Sequence, residues 1–206
     1  MANVGFLSER EELRGIALAA RLPGSAEKLQ HLIEKVKART IQAVVKDPKV
    51  EERLQGRRFA VVGAEIREEK PSGAAALAPR LAEVGIYDYD RNVLVIAVVD
   101  VRAGAVVDIE ERSGIQPALT KDEEQDGRKI VLSNPQFQPL KKRPRLELVT
   151  LPARVAFSES HPCYRHRCFE FYFWSTGKQP QKVAQMIVDL STRQVVPGSP
   201  EDFPSA

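Results

Sequence analysis

The chain has 206 residues, 43% hydrophobic and 29% charged, which is ordinary for a globular protein and enough for one large domain or two of about 100 residues each. Its 31 basic and 28 acidic residues leave a net charge of +3, too balanced to indicate a nucleic-acid partner, and no run of about 20 apolar residues offers a membrane span. The opening MANVGFLSEREEL lacks the basic and apolar regions of a secretory signal, so a cytoplasmic chain is expected, or one whose signal was removed.

In chain order, Leu13, Ile16, Ala17 and Ala20 predict an amphipathic helix over residues 8–22, opened by Ser8 and Glu11 as a capping box and closed by Pro23-Gly24. Ser25 is a second N-cap candidate. Behind it Leu29, Leu32, Ile33, Val36, Ile41, Val44 and Val45 predict a longer helix that stops before Asp47-Pro48, since a residue preceding proline leaves the α region. From Arg58 the texture changes. FAVVGAEIRE, RLAEVGIYDYD and NVLVIAVVDV read as strands, with PSGAAALAP over residues 71–79 as a loop or hairpin tip. A turn at Ala103-Gly104 leads into a short fourth strand.

Gly114-Ile115-Gln116-Pro117 punctuates the chain. Thr120 caps a new helix, with Glu123 in the capping-box position, that runs to about Ser133 before Asn134-Pro135. Strands follow over residues 146–157, 168–174, 183–190 and 194–196. The tail PGSPEDFPSA, with three prolines in ten residues, is expected to be disordered. The acidic pairs Glu68-Glu69, Glu110-Glu111 and Glu123-Glu124 read as surface.

The halves can be laid over each other. Aligning Pro48 with Pro135 puts Asp47 on Asn134, Val44 on Val131, Arg58 on Arg145 and Val62 on Val149. The phrase VDVRAGAVV, from Val99, then falls within two residues of VDLSTRQVV, from Val188. Each phrase is read as the last hairpin of one copy, with its aspartate before the turn, where a carboxylate accepts backbone N–H groups. The expected fold class is therefore α+β: one helix on a curled antiparallel sheet of about four strands, made twice.

The run from Tyr87 to Glu124 resembles the junction between the two small N-terminal domains that precede the catalytic domain of copper amine oxidases. The likeness rests on Gly114, Gln116, Pro117, Thr120, Glu123, Asn134, Pro135, Phe137, Gln138 and Leu140, followed by KKRPR, and is best over residues 86–145. It implies tandem duplicated cystatin-like units. These would comprise an extension over residues 1–24, a first repeat over 25–111, a second over 112–196 and a tail over 197–206. The family's chemistry needs a tyrosine in an Asn-Tyr-Asp/Glu context and three copper histidines. Here Tyr87, Tyr89, Tyr164 and Tyr172 follow Ile, Asp, Cys and Phe, and His31, His161 and His166 form no HxH pair. The resemblance thus implies a non-catalytic accessory module without a cofactor, acting with a protein partner or by self-association, and with neither nucleic acid nor membrane. The alternative is an α+β cone that holds a small molecule between helix and sheet, although the inward sets Val95, Ala97, Val99 and Phe169, Phe171, Phe173 are apolar.

Three motifs carry candidate sites. HPCYRHRC holds His161, Cys163, His166 and Cys168. A disulfide across the turn, unpaired loop thiols and a Cys2His2 metal set all remain open, though ligands usually come from two separated knuckles. The basic patch Lys141, Lys142, Arg143 and Arg145 recurs as Arg57-Arg58 in the first copy and reads as a solvated turn. In FEFYFW, alternation places Phe169, Phe171 and Phe173 on one face and Tyr172 and Trp174 on the other, as candidates for an interaction surface.

Overall fold

A computed structural model describes residues 26–67, 81–138, 146–151, 159–176 and 179–196. The expected helix over residues 8–22, the loop over 71–79, the basic patch Lys141, Lys142, Arg143 and Arg145 and the tail lie outside the described residues. The fold is α+β, with two antiparallel four-stranded sheets of order β1-β2-β3-β4 and β5-β6-β7-β8. By contacts the chain divides into two compact units. One is built from residues 1–56, 63–86 and 95–111, the other from 57–62, 87–94 and 112–206.

In the first unit, α1 (Ala26–Val45) buries Val36, Thr40 and Val44 at four-residue steps, one stripe of a 3.6-period helix. Val36 packs against Leu29, Leu32, Ile66 and Val101. The Thr40 hydroxyl donates to the Val36 carbonyl at 2.8 Å, so its burial leaves no orphaned donor. Asp47-Pro48 does end the helix, but the chain then forms an unexpected second helix, α2 (Pro48–Leu54). The Asp47 carboxylate accepts from the Lys49 N–H at 2.9 Å, and Pro48 sits in the first turn, where a missing N–H costs nothing.

The first sheet comprises β1 (Phe59–Ile66), β2 (Leu81–Asp88), β3 (Val93–Asp100) and β4 (Ala105–Ser113), the last longer than expected. On β3 every residue from Leu94 to Val99 is buried, so Leu94, Ile96 and Val98 are covered as well as the expected Val95, Ala97 and Val99.

In the second unit, α3 (Lys121–Ser133) begins with the expected capping box, in which the Thr120 hydroxyl accepts from the Glu123 N–H and the Glu123 carboxylate accepts from the Thr120 N–H. A 3₁₀ turn over Pro135–Phe137 follows, capped by Asn134, whose side-chain oxygen accepts from the Gln136 N–H at 2.8 Å. The second sheet comprises β5 (Leu146–Leu151), β6 (Cys168–Ser175), β7 (Lys182–Asp189) and β8 (Gln194–Val196). Phe169, Phe171 and Phe173 are buried on the α3 side of β6. A Cβ at Gly127 would stand 2.5 Å from the Phe171 ring, and Phe137 stacks on Phe173 with centroids 4.6 Å apart. At Gly127 and Phe137 the rings of β6 thus pack directly against α3 and the turn that follows it.

Candidate functional site

Around α3 the second unit is organised by one buried ion pair. Arg167 is fully buried and Glu123 nearly so, which corrects the surface reading of Glu123. The Arg167 Nε and Nη2 groups donate to the two Glu123 oxygens, the latter at 2.7 Å. Nη1 and Nη2 also donate to the carbonyls of Pro117 and Ala118, each at 3.0 Å. The guanidinium lies 4.8 Å from the Tyr87 ring centroid and 5.1 Å from that of Phe169. Glu123 accepts further from the Tyr89 hydroxyl at 2.6 Å and from the Thr120 N–H at 2.9 Å. A buried charge persists only when paired and hydrogen-bonded in this way.

Burial alone would raise the Glu123 carboxyl pKa. The Arg167 bond and charge outweigh it, with Tyr89 and Thr120 adding to them, and hold the carboxyl below its usual range. Burial, and then the Glu123 carboxylate itself, push the Tyr89 phenol well above its usual value. The Gly114–Pro117 punctuation has a physical cause here. Arg167 holds the Pro117 carbonyl, while Gln116 donates to the Tyr87 hydroxyl at 3.0 Å and to the His166 carbonyl at 3.2 Å.

Cys163 and Cys168 form a disulfide, both buried, with Cα atoms 5.8 Å apart. It closes a short ring of chain that presents His166 and Arg167. With both sulfurs bonded to each other, the Cys2His2 set has no thiolates to offer a metal. The two histidines are engaged separately: His161 Nδ1 accepts from the Cys163 N–H at 3.0 Å, and His166 Nδ1 lies 2.7 Å from the Asp189 carboxylate. The HPCYRHRC motif stood out in the sequence for its cysteines and histidines, yet its most connected residue is Arg167. Only the pairing of an arginine in a cysteine loop with an N3 glutamate could have signalled it.

The outer face of β6 carries Glu170, Tyr172 and Trp174. Register places Trp174 opposite Glu147 and Tyr172 opposite Val149 on β5. A groove of about 560 Å³ opens there, lined by Glu147, Val149, Tyr172, Trp174, Ser175, Thr176 and Pro180. Tyr172 is steadied from both ends: its hydroxyl donates to Glu170, and the Lys182 ammonium sits 5.0 Å from its ring centroid. Both aromatics are half-buried, and the groove they line is largely apolar.

No protein-family model matches the chain, and no curated protein sequence does either. Among solved structures, the chain is similar to a copper-containing benzylamine oxidase from Hansenula polymorpha, with a TM-score of 0.52 at 12% identity. The match covers 76% of this chain but only 28% of that one. At that identity the likeness is one of fold, and it relates this α+β chain to part of the amine oxidase architecture.

Proposed function

We propose that the chain is a tandem of two cystatin-like units related to the small domains that precede the catalytic domain of copper amine oxidases, and that it serves as a non-catalytic interaction module for a separate protein, such as a catalytic subunit. The duplication is supported by three correspondences. Val36, Thr40 and Val44 on α1 match Glu123, Gly127 and Val131 on α3, every pair 87 positions apart. Asp47 and Asn134, at the same offset, each cap the next helical turn through a bond to the second N–H beyond. Asp100 and Asp189 each accept from the backbone N–H groups two and three residues on. The interaction role is carried by one observation, the Tyr172–Trp174 groove, since half-exposed aromatics over an apolar groove are typical anchors for a partner.

Native mass spectrometry of the chain purified gently from its own host tests this reading. A stoichiometric second polypeptide is expected with the wild type, and its loss is expected with a Trp174→Ala variant that melts at the wild-type temperature. A bare monomer or homodimer at every protein concentration would overturn the partner reading.

A further inference from the structure

The four strands that end the two sheets are not equally guarded. On β4, Asp108, Glu110, Glu111 and Arg112 put four charges into nine residues, β1 is interrupted by Gly63 and carries Glu65, and β8 has only three residues. Natural edges are protected by charge, bulges or shortness in just these ways. The six-residue run of β5, LELVTL, has one charge and neither glycine nor proline, and it pairs with β6 in unbroken register from Leu146↔Ser175 to Leu151↔Glu170. Among the described residues no strand pairs with its other side.

We infer that the free edge of β5 is a strand-addition site, and that the segment it takes is an extended strand with a Lys or Arg facing Glu147 and an apolar side chain facing Val149. This rests on the interaction reading above and names the chemistry of the partner. The first position follows from charge: Glu147 is the exposed carboxylate of the groove, and an opposite charge directly across from it is favoured. The second follows from Lys182, which already occupies the Tyr172 ring and would repel another cation there. An added strand sends alternate side chains to one face, so both of these reach the groove together.

Trp174 is the only tryptophan in the chain, so its fluorescence reports this groove without labelling. The probes are eight-residue synthetic peptides in which threonine alternates with arginine and valine, and the same peptides with glutamate or glutamine in place of arginine. The arginine peptide is expected to shift Trp174 emission saturably and to bind at least ten-fold more tightly than the glutamate peptide. In Glu147→Lys that preference is expected to reverse. Equal affinities for all three peptides, or a preference unmoved by Glu147→Lys, would overturn the charge assignment. No saturable change with any peptide would overturn the strand-addition site. A native complex lost in Trp174→Ala would still stand in either case, so this inference can fail without the interaction reading.

Discussion

The two long helices bury corresponding positions and fill them in opposite ways. On α1 these are Val36, Thr40 and Val44; on α3 they are Glu123, Gly127 and Val131. The strands differ in the complementary sense: β2 buries Ala82, Val84 and Ile86, whereas β6 buries Phe169, Phe171 and Phe173. At Gly127, where β6 brings the Phe171 ring, the helix carries no side chain at all. The difference teaches that a helix on a sheet is fitted pair by pair, a ring on one side being met by a missing side chain on the other, as expected for cores packed to uniform density.

The largest break between the units should come at the first of these positions. Arg167→Ala leaves Glu123 as an uncompensated buried charge and is expected to cost about 3–5 kcal/mol in urea unfolding. Val36→Ala, at the position matching Glu123, removes two methyl groups and should cost about 1.5 kcal/mol. Equal costs would mean that the ion pair does not organise the second unit. The pair also sets a pH dependence. Glu123 is held below its ordinary value of 4.5 in the folded state, so its contribution is complete above that pH and is lost as pH falls through the lower folded value. Asp88, buried but bonded by the Arg91 side chain and by the Arg91 and Asp90 N–H groups, acts in the same direction from 3.8. Melting temperature is expected to decline from pH 5 to pH 3, and less steeply in Glu123→Gln; identical slopes would remove Glu123 from the account.

The last hairpins sharpen the comparison. Asp100 and Asp189 make the same pair of backbone bonds, but Asp189 also meets His166 at 2.7 Å and the Thr192 hydroxyl at 2.9 Å, and is almost wholly buried. The neighbouring Ser191 accepts from the Arg167 N–H at 3.1 Å, and the Leu190 N–H donates to the Arg167 carbonyl at 2.8 Å. Asp189→Ala is expected to cost about 2 kcal/mol, because it removes at once the buried carboxylate that accepts from the Ser191 and Thr192 N–H groups and the Thr192 hydroxyl. Asp100→Ala should cost about 1 kcal/mol, as for an ordinary cap. Thermal unfolding of the two variants side by side checks the difference.

Gly127→Ala tests the volume argument through its sign. In an exposed helix the change stabilises by about 1 kcal/mol. Here the new methyl meets the Phe171 ring, and a net loss of about 1–3 kcal/mol is expected. Adding Phe171→Leu should recover part of it. A more stable Gly127→Ala variant would show that α3 can ride away from the sheet.

The legible part of this molecule was its punctuation. Asp47-Pro48, the Thr120–Glu123 capping box and the Asn134-Pro135 break could be placed because each acts through the chain within a few residues. The faces of β6 were legible too, from strict alternation. What could not be read was contact between distant segments. Glu123 looked like a cap and a surface acid because nothing nearby announces Arg167, 44 positions on. The helix Pro48–Leu54 is not legible because seven residues give too short a period, and its buried Val50 and Leu54 acquire meaning only from the fold.

The smallest expected effect bears most directly on the repeated phrase. Gly104 and Arg193 hold the same place in the two turns, four residues after the aspartate, with φ of +62° and +60°. Asn92, four residues after Asp88, has φ of +54°, so the turn recurs a third time with a residue that tolerates this region better than most. Arginine pays about 1 kcal/mol to sit there, and its ion pair with Asp126, at 3.7 Å between half-exposed side chains, offsets little of that. Arg193→Gly is therefore expected to stabilise by about 0.5 kcal/mol, the relief of strain being partly cancelled by the extra freedom of the unfolded chain. Gly104→Arg should destabilise by a similar amount, and since nothing lies within 4 Å of a Cβ at that position, the cost is conformational alone. Paired shifts of melting temperature with opposite sign would mean that both hairpins impose the same backbone whatever packs against them. If Gly104→Arg leaves the melting temperature unchanged while Arg193→Gly raises it, the strain at Arg193 is imposed by the contacts that hold Asp189 and not by the turn.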